Sequence, residues 1–190
     1  MPRQAGSCRL SQTLAARGMA RTEEQPEVLQ LGEFLREFNK ETDRGAALSA
    51  ASLLDDRLLE IIRAFLADVT QTEELIGGFN APLGTFSSRI SAAYAFGLLQ
   101  ENEHKELHLI RRIRNEFGHS WKGVTFETQP VSQLCAQLPW GGPGEIEPTS
   151  TSRDRFNFAV VTLLIDLLWR ARLVRKERRV IKQWPNKSRG

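Results

Sequence analysis

The chain has 190 residues and a formal net charge of +3, and 41% of its residues are hydrophobic. This length and composition predict one ordinary domain with a real core. The longest strongly apolar run, residues 158–169, is too short to span a membrane. Cys8 and Cys135 show no disulfide framework and no metal-binding spacing, which is typical of a reducing compartment. The expected location is therefore the cytoplasm.

Both ends of the chain are basic. The first 22 residues contain four arginines and no acid, as transit peptides do, so residues 1–25 are expected to be a disordered leader, with Met19 as an alternative start. Residues 170–190 contain nine Lys/Arg and one acid. Cations are favoured at helix C-termini, and a basic tail can also contact nucleic acid. We expect only weak nucleic-acid binding, through the tail at residues 179–190.

The chain between these ends, residues 26–178, is predicted to be helical. A first amphipathic helix follows from the spacing of Val28, Leu31, Phe34, Leu35 and Phe38. Thr42 and Asp43 are placed to cap a second helix, whose apolar stripe continues to Val69. That stripe makes it the longest predicted element.

Turn residues at 77–84 predict a loop, after which Thr85 or Ser87 caps a helix that reaches Leu99. The inward side chains of this helix are expected to be Ile90, Ala93, Tyr94 and Leu98. The next helix is predicted over residues 102–117.

The rest of the chain is predicted to consist of one irregular region and one helix. The irregular region covers residues 119–151, with a possible short helix at 131–136. Ser152 then caps a last helix over 153–178, whose apolar middle is expected to be buried. No alternating strands are present. The predicted fold class is all-α, a bundle of about five main helices with one long irregular loop region.

The helix at 102–117 has two unlike faces, because successive residues turn by about 100°. The core-facing stripe comprises Leu107, Leu109, Ile110, Ile113 and Phe117. The opposite, polar face comprises His104, His108, Arg111, Arg112, Asn115 and His119. Arg114 lies at the edge of the apolar stripe, where a partly buried arginine needs a carboxylate or carbonyl partner.

Arg114, Asn115 and His119 form a candidate catalytic set. A histidine that titrates near neutral pH can take a proton from a ribose hydroxyl, and an arginine can hold the phosphate. Arg114 and His119 diverge by about 140° on a continuous helix, so they converge only if the helix ends at Gly118. The spacing resembles the Arg-x4-6-His pattern of HEPN domains, which include metal-independent ribonucleases and inactive binding modules. Such sites are usually completed across a dimer, so this alternative implies a homodimer.

Metal, cofactor and DNA-reading motifs are not found. His104 and His108 lie one turn apart, but no third zinc ligand stands at a convincing spacing. Phosphate loops, dinucleotide-binding glycines and serine nucleophile elbows are absent from the sequence. The best helix-turn-helix candidate, residues 90–113, carries three glutamates in its second helix, which would repel DNA. We expect no metal and no cofactor.

Four ordered blocks resemble the mannitol operon repressor family. They are residues 38–47 (FNKETDRGAA), 50–56 (AASLLDD), 78–90 (GFNAPLGTFSSRI) and 113–119 (IRNEFGH). Gly118 stands where that family usually has alanine. The resemblance implies an all-helical bundle and a role in repressing sugar-alcohol operons. Because the family has no recognisable DNA-binding motif, it also implies action through other transcription factors.

From these patterns we predict a contact surface for a transcription factor or another protein, and we expect the protein not to be an enzyme. The surface is expected to comprise Arg111, Asn115, His119 and Asn80.

A second set of polar residues is expected to form structural ion pairs inside the bundle. Asp43 and Arg44 open the long helix, and Asp55 lies three turns further on. Either Arg114 or Arg89 is the expected partner of Asp55.

Overall fold

The computed structural model describes residues 25–78, 80–119 and 122–185. The predicted leader up to residue 24 and the end of the predicted tail, from residue 186, lie outside the described residues. The helices are α1 (Pro26–Phe38), α2 (Asp43–Phe65), α3 (Thr70–Ile76), α4 (Phe86–Ala95), α5 (Glu101–His119), α6 (Val131–Cys135), α7 (Ser152–Asp166) and α8 (Arg170–Val174). Two 3₁₀ helices cover Gly144–Thr149 and Arg175–Glu177. With no strand in the described ranges, the all-α class is confirmed, although eight helices replace the five expected.

The chain divides into two compact units after Lys40. The described part of the first unit contains α1. Pro26 occupies the start of this helix, where its missing N–H costs no helical hydrogen bond. Phe34 and Phe38 lie one turn apart and stack with their ring centroids 4.9 Å apart. This helix is amphipathic, as its spacing predicts.

The central helix of the second unit is α2, which packs against α4, α5 and α8. Thr42 caps it, accepting a hydrogen bond from the Gly45 amide at 3.1 Å. The helix ends at Phe65, four residues before the predicted Val69. The Phe65 carbonyl accepts from the Arg179 amide at 2.7 Å, so the C-terminal segment takes the place of a further helical turn.

Helix α4 begins as predicted and ends early. Thr85 and Ser88 form a capping box at its start. Gly97 has a φ of +74°, which ends the helix before the predicted Leu99. Tyr94 was expected to face inward, but it is 41% exposed. Ile90 and Ala93 are buried, so the helix presents one narrow face to the core.

The predicted last helix is broken. Thr151, not Ser152, caps α7, and a turn at residues 167–169 separates α7 from α8. Arg170, at the start of α8, donates to Glu103 of α5 at 2.6 Å and to the Leu98 carbonyl at 2.8 Å. These bonds join the start of α8 to α5 and to the residues that precede α5, at the point where the predicted last helix is broken. Ile165 is 52% exposed, so the apolar middle is not buried all round.

Candidate functional site

The first element of the site is a polar contact between α2 and α4. Asp55 Oδ2 lies 2.8 Å from Arg89 Nη1. Arg89 is buried, and it also donates to the Leu83 carbonyl at 2.9 Å and the Ile76 carbonyl at 3.2 Å. One guanidinium therefore joins α2 to the end of α3 and to the residues that precede α4.

Asp55 is only partly satisfied by this contact. Burial raises the pKa of its carboxyl, against the opposing effect of Arg89. Its Oδ1 atom is buried and has no hydrogen-bond partner among the described residues. A buried acceptor without a partner costs free energy, so this oxygen is a place where a donor would be stabilising.

Arg114 is not where the sequence pattern placed it. It was expected to be partly buried, but it is exposed, and its Nη1 donates to Asn115 Oδ1 at 3.1 Å. Arg89 takes the bond to Asp55, and Arg114 acts on that carboxyl only through its charge, which slightly opposes the rise that burial causes in the pKa of Asp55. The physical reason is the length of the arginine stem, which lets the guanidinium reach water from the edge of a buried stripe.

A cavity of about 330 Å³ lies beside this contact. We call it the Asp55 cavity, and its lining residues are Leu48, Ala51, Ser52, Asp55, Phe86 and Arg114. They come from α2, α4 and α5. The cavity therefore brings together residues from three of the four blocks that carry the family resemblance, a convergence that sequence spacing does not reveal.

The end of α5 differs from the expectation on which the catalytic alternative depends. The helix continues through Gly118 to His119 instead of ending at Gly118. Arg114 and His119 are five residues apart on this continuous helix, so their directions differ by about 140°. Within one copy of the chain the helix therefore does not bring Arg114 and His119 to one side.

The predicted contact surface is mostly on one side of α5. Arg111, Asn115 and His119 follow one another at intervals of four residues and so lie along one face. His119 is exposed, whereas Arg111 and Asn115 are half-buried. The Arg111 Nε atom is buried without a partner among the described residues. Asn80 is exposed in the segment before α4.

Two histidines continue this face toward the start of α5. His104 and His108 have their Nε2 atoms 3.1 Å apart, and His104 stacks on Tyr94 at 4.2 Å between ring centroids. Desolvation lowers the pKa of His108, and the nearby His104 and Arg111 lower it further. A second cavity, of about 400 Å³, lies here, lined by His104, Lys105, His108, Leu109, Arg112 and Gln137. The sequence pattern missed the role of Tyr94 because it placed that ring in the core.

The other predicted ion-pair residues lie at the start of α2. Asp43 pairs with Arg153 of α7, with Oδ1 and Nη1 2.7 Å apart, and its Oδ2 accepts from the Phe126 amide at 3.1 Å. Arg44, next to it, is half-buried. Asp43 therefore joins α2 to two segments more than 80 residues away. No local sequence motif indicates these two contacts.

The C-terminal segment is bonded to the end of α2 through Arg178 and Arg179, and the described residues beyond them are exposed. Arg178 donates to the Ala64 carbonyl at 3.3 Å and pairs with Asp68 at 3.3 Å. Val180, Ile181 and Trp184 are exposed. The segment thus presents apolar and cationic side chains together.

Other site types receive no support from the described ranges. No group of three or more histidine, cysteine, aspartate or glutamate side chains gathers there as a metal ion would need. No helix among these residues has both the length and the hydrophobicity of a membrane-spanning segment. Burial raises the pKa of the Cys135 thiol to about 12, so this cysteine is not a ready nucleophile.

No protein-family model matches the chain, and no curated protein matches it. Among solved structures, the chain is similar to one chain of the X-ray structure of the MtlR–HPr complex from Escherichia coli. The two are 22% identical with a TM-score of 0.49, over 76% of this chain and 98% of the other.

Proposed function

We propose that this protein is a transcriptional regulator of the mannitol operon repressor type and that it acts by binding another protein. The observation that carries the proposal is the unbroken course of α5 to His119. It supports the proposal because Arg111, Asn115 and His119 then follow one another at intervals of four residues along one helix face. The four sequence blocks that resemble the repressor family supply the regulatory role.

Contact is favoured over catalysis because of the helix geometry. A ribonuclease of the HEPN kind needs its arginine and histidine on the same phosphodiester. On the continuous α5 helix, Arg114 and His119 of one copy point about 140° apart. An enzyme would therefore need a second copy to complete the site, whereas a contact surface needs only one.

The charge of the face indicates the chemistry of the partner. Arg111 and Arg112 lie between the two histidines near the start of α5 and His119 at its end. Complementary charge speeds association and helps to set specificity. We infer a partner with an acidic patch, such as a transcription factor that itself reads DNA. Direct reading of DNA by α5 is disfavoured by Glu101, the exposed acid in its first turn.

The test places a photo-crosslinking residue at position 115, with position 91 as the control, because Ser91 is exposed on a different helix. We expect adducts with a second protein from position 115 and not from position 91. The purified partner should then bind His119→Glu at least about tenfold more weakly than wild type, and Ser91→Glu equally well, because charge reversal at a contact is strongly unfavourable.

Two results would contradict the proposal. One is adducts only between copies of this chain through position 115, together with metal-independent RNA cleavage in EDTA that His119→Ala abolishes. That pair of results would establish the ribonuclease instead. The other is a promoter preference of the isolated protein above about a hundredfold in gel shifts, since specific DNA binders usually exceed about 10³.

A further inference from the structure

Two histidines of α5 have converging nitrogens that the proposed protein contact does not use. The Nε2 atoms of His104 and His108 lie 3.1 Å apart. The two residues are four apart in sequence, so they share one side of the helix. Both are half-buried, and both line the cavity of about 400 Å³. Two imidazole nitrogens that meet beside a cavity are the first requirement of a transition-metal site.

The distance between the two nitrogens fits one metal ion. Zinc–imidazole bonds are about 2.0–2.1 Å long, so nitrogens 3.1 Å apart subtend an angle of about 98° at a shared ion. That angle lies between the tetrahedral value of about 109° and the square-planar value of about 90°. The pair therefore has the separation of two neighbouring ligands of one ion.

The direct hydrogen bond between the two rings is a poor competitor. If each ring pointed its nitrogen straight at the other, the two ring radii of about 1.1 Å would place the centroids about 5.3 Å apart. The centroids are 4.5 Å apart, and the rings are nearly perpendicular, at 88°. The hydrogen bond is therefore bent at one ring at least, and bent hydrogen bonds are weak. A coordinate bond can replace it at little cost.

Tyr94 of α4 keeps one of the two rings in place. Its ring stacks on that of His104, with centroids 4.2 Å apart and planes 18° apart. A ligand that is already held in position loses less conformational freedom when the ion binds. The stack thus gives the exposed Tyr94 ring a function that its place in the sequence pattern did not indicate.

The charged neighbours limit the strength of the site. Lys105 lines the cavity, but Glu101 neutralises it at 2.6 Å. Arg112 lines the cavity too, and Arg111 lies near His108. These two arginines disfavour a cation, although water and salt screen the exposed Arg112. The affinity for an ion should therefore depend on the charge at position 112.

The described residues do not bring together the three or four protein ligands of a resident ion. The expectation of no metal rested on that missing third ligand. An ion that exchanges with solvent can instead take its remaining ligands from water. Gln137 lines the same cavity, and its Nε2 donates to the Gln133 carbonyl at 3.0 Å. Its amide oxygen is left to accept from a metal-bound water.

We propose that His104 and His108 hold one exchangeable divalent transition-metal ion, of the kind that Zn²⁺ represents, through their Nε2 atoms, with water in the remaining positions. This site does not depend on the proposed protein contact.

The test is a titration of Zn²⁺ into the full-length chain carrying Cys8→Ser, at about pH 7.5 and free of EDTA. Cys8 is replaced because thiolates bind zinc, whereas Cys135 is buried with a pKa of about 12. We expect one ion per chain and a dissociation constant on the order of 10 μM, since two ligands supply roughly half the free energy of a four-ligand site. The imidazole nitrogen shifts of His104 and His108 should move, and Mg²⁺, which prefers oxygen ligands, should move neither.

His119 provides the matched control, because it is the third histidine of the chain and is exposed on the same helix. His108→Ala should weaken zinc binding at least about tenfold, whereas His119→Ala should bind zinc as the parent chain does. Arg112→Glu should bind zinc at least about fivefold more tightly, because it puts a carboxylate in place of a cation one turn from His108.

Each other result overturns the proposal. Zinc binding weaker than about 1 mM would mean that the two rings only bond to each other. An equal loss in His119→Ala would mean unspecific coordination along α5, and unchanged affinity in Arg112→Glu would place the ion outside this cavity. One ion per two chains would mean a site built across two copies. Crosslinking from position 115, by contrast, tests only the proposed protein contact.

Discussion

Arg89 and Arg114 lie near the same carboxylate, and their surroundings differ in every other respect. Arg89 is buried, pairs with Asp55 and donates to two backbone carbonyls. Arg114 is exposed and bonds to the side chain of its neighbour Asn115. The first arginine joins three segments of the bundle, whereas the second leaves most of its donors to solvent.

This difference separates two uses of the same side chain. A buried guanidinium whose donors are all matched stabilises one arrangement of the backbone, and removing it leaves carbonyls and a carboxylate unpaired. An exposed guanidinium contributes little to stability, because water satisfies it in the folded and unfolded states alike. Arg114 is therefore available for recognition, and Arg89 is not.

The largest expected loss of stability is that caused by replacing Arg89. Arg89→Ala should lower the free energy of unfolding by about 3–5 kcal/mol, the usual cost of breaking a buried, hydrogen-bonded ion pair. Arg114→Ala should cost only about 0–1 kcal/mol. Urea denaturation of both variants, followed by circular dichroism, measures the difference. Equal midpoints would mean that the two arginines share the carboxylate in solution and that Arg114 is as structural as Arg89.

Replacement of Asp43 should cause an intermediate loss of stability. Asp43→Ala removes the pair with Arg153 and the acceptor for the Phe126 amide, and both contacts are partly exposed. We expect a loss of about 1–3 kcal/mol, from one amide bond and one partly screened pair. Asp56→Ala is the control, because Asp56 is exposed on the same helix and its loss should cost about 0.5 kcal/mol or less. A similar loss in both variants would show that Asp43 contributes only through the charge of the first helical turn.

The smallest expected effect is that of His108, and it is a change in the stability of the fold with pH. Its pKa is lowered in the folded state, first by desolvation and then by His104 and Arg111, from an ordinary value of 6.5. The unfolded chain therefore takes up the proton first as the pH falls. The stability associated with neutral His108 is present above 6.5 and is lost as the pH drops below that value toward the folded-state pKa. Unfolding midpoints from pH 7.5 to 5 should fall less steeply in His108→Gln than in wild type. Parallel curves would mean that His108 is fully hydrated.

The fold class and most helix starts follow from local patterns. Thr42 and Thr85 cap their helices where the sequence indicates, because a cap depends on residues within one turn. The helix ends are less predictable. The ends of α2 and α7 depend on Arg179 and Arg170, whose partners lie far away in the chain. Periodicity cannot detect such bonds, so both helices were predicted to be too long.

The candidate site likewise has one feature that the sequence predicts and another that only the structure shows. The polar face of α5 is visible in the sequence because residues four apart on a helix must be neighbours. The course of α5 beyond Gly118 is a matter of tertiary structure, since glycine permits both an end and a continuation. That single outcome separates Arg114 from His119 and weakens the catalytic alternative.

The sequence alone determined the helical class, the caps of α2 and α4 and the side chains that share a helix face, because these depend on neighbours within a few residues. Only the tertiary structure decided that Arg89 and not Arg114 pairs with Asp55, that Asp43 meets Arg153, and that residues of three helices line one cavity. Such pairings depend on the length of each side chain and on how the helices pack. No local pattern distinguishes two equally charged candidates such as Arg89 and Arg114.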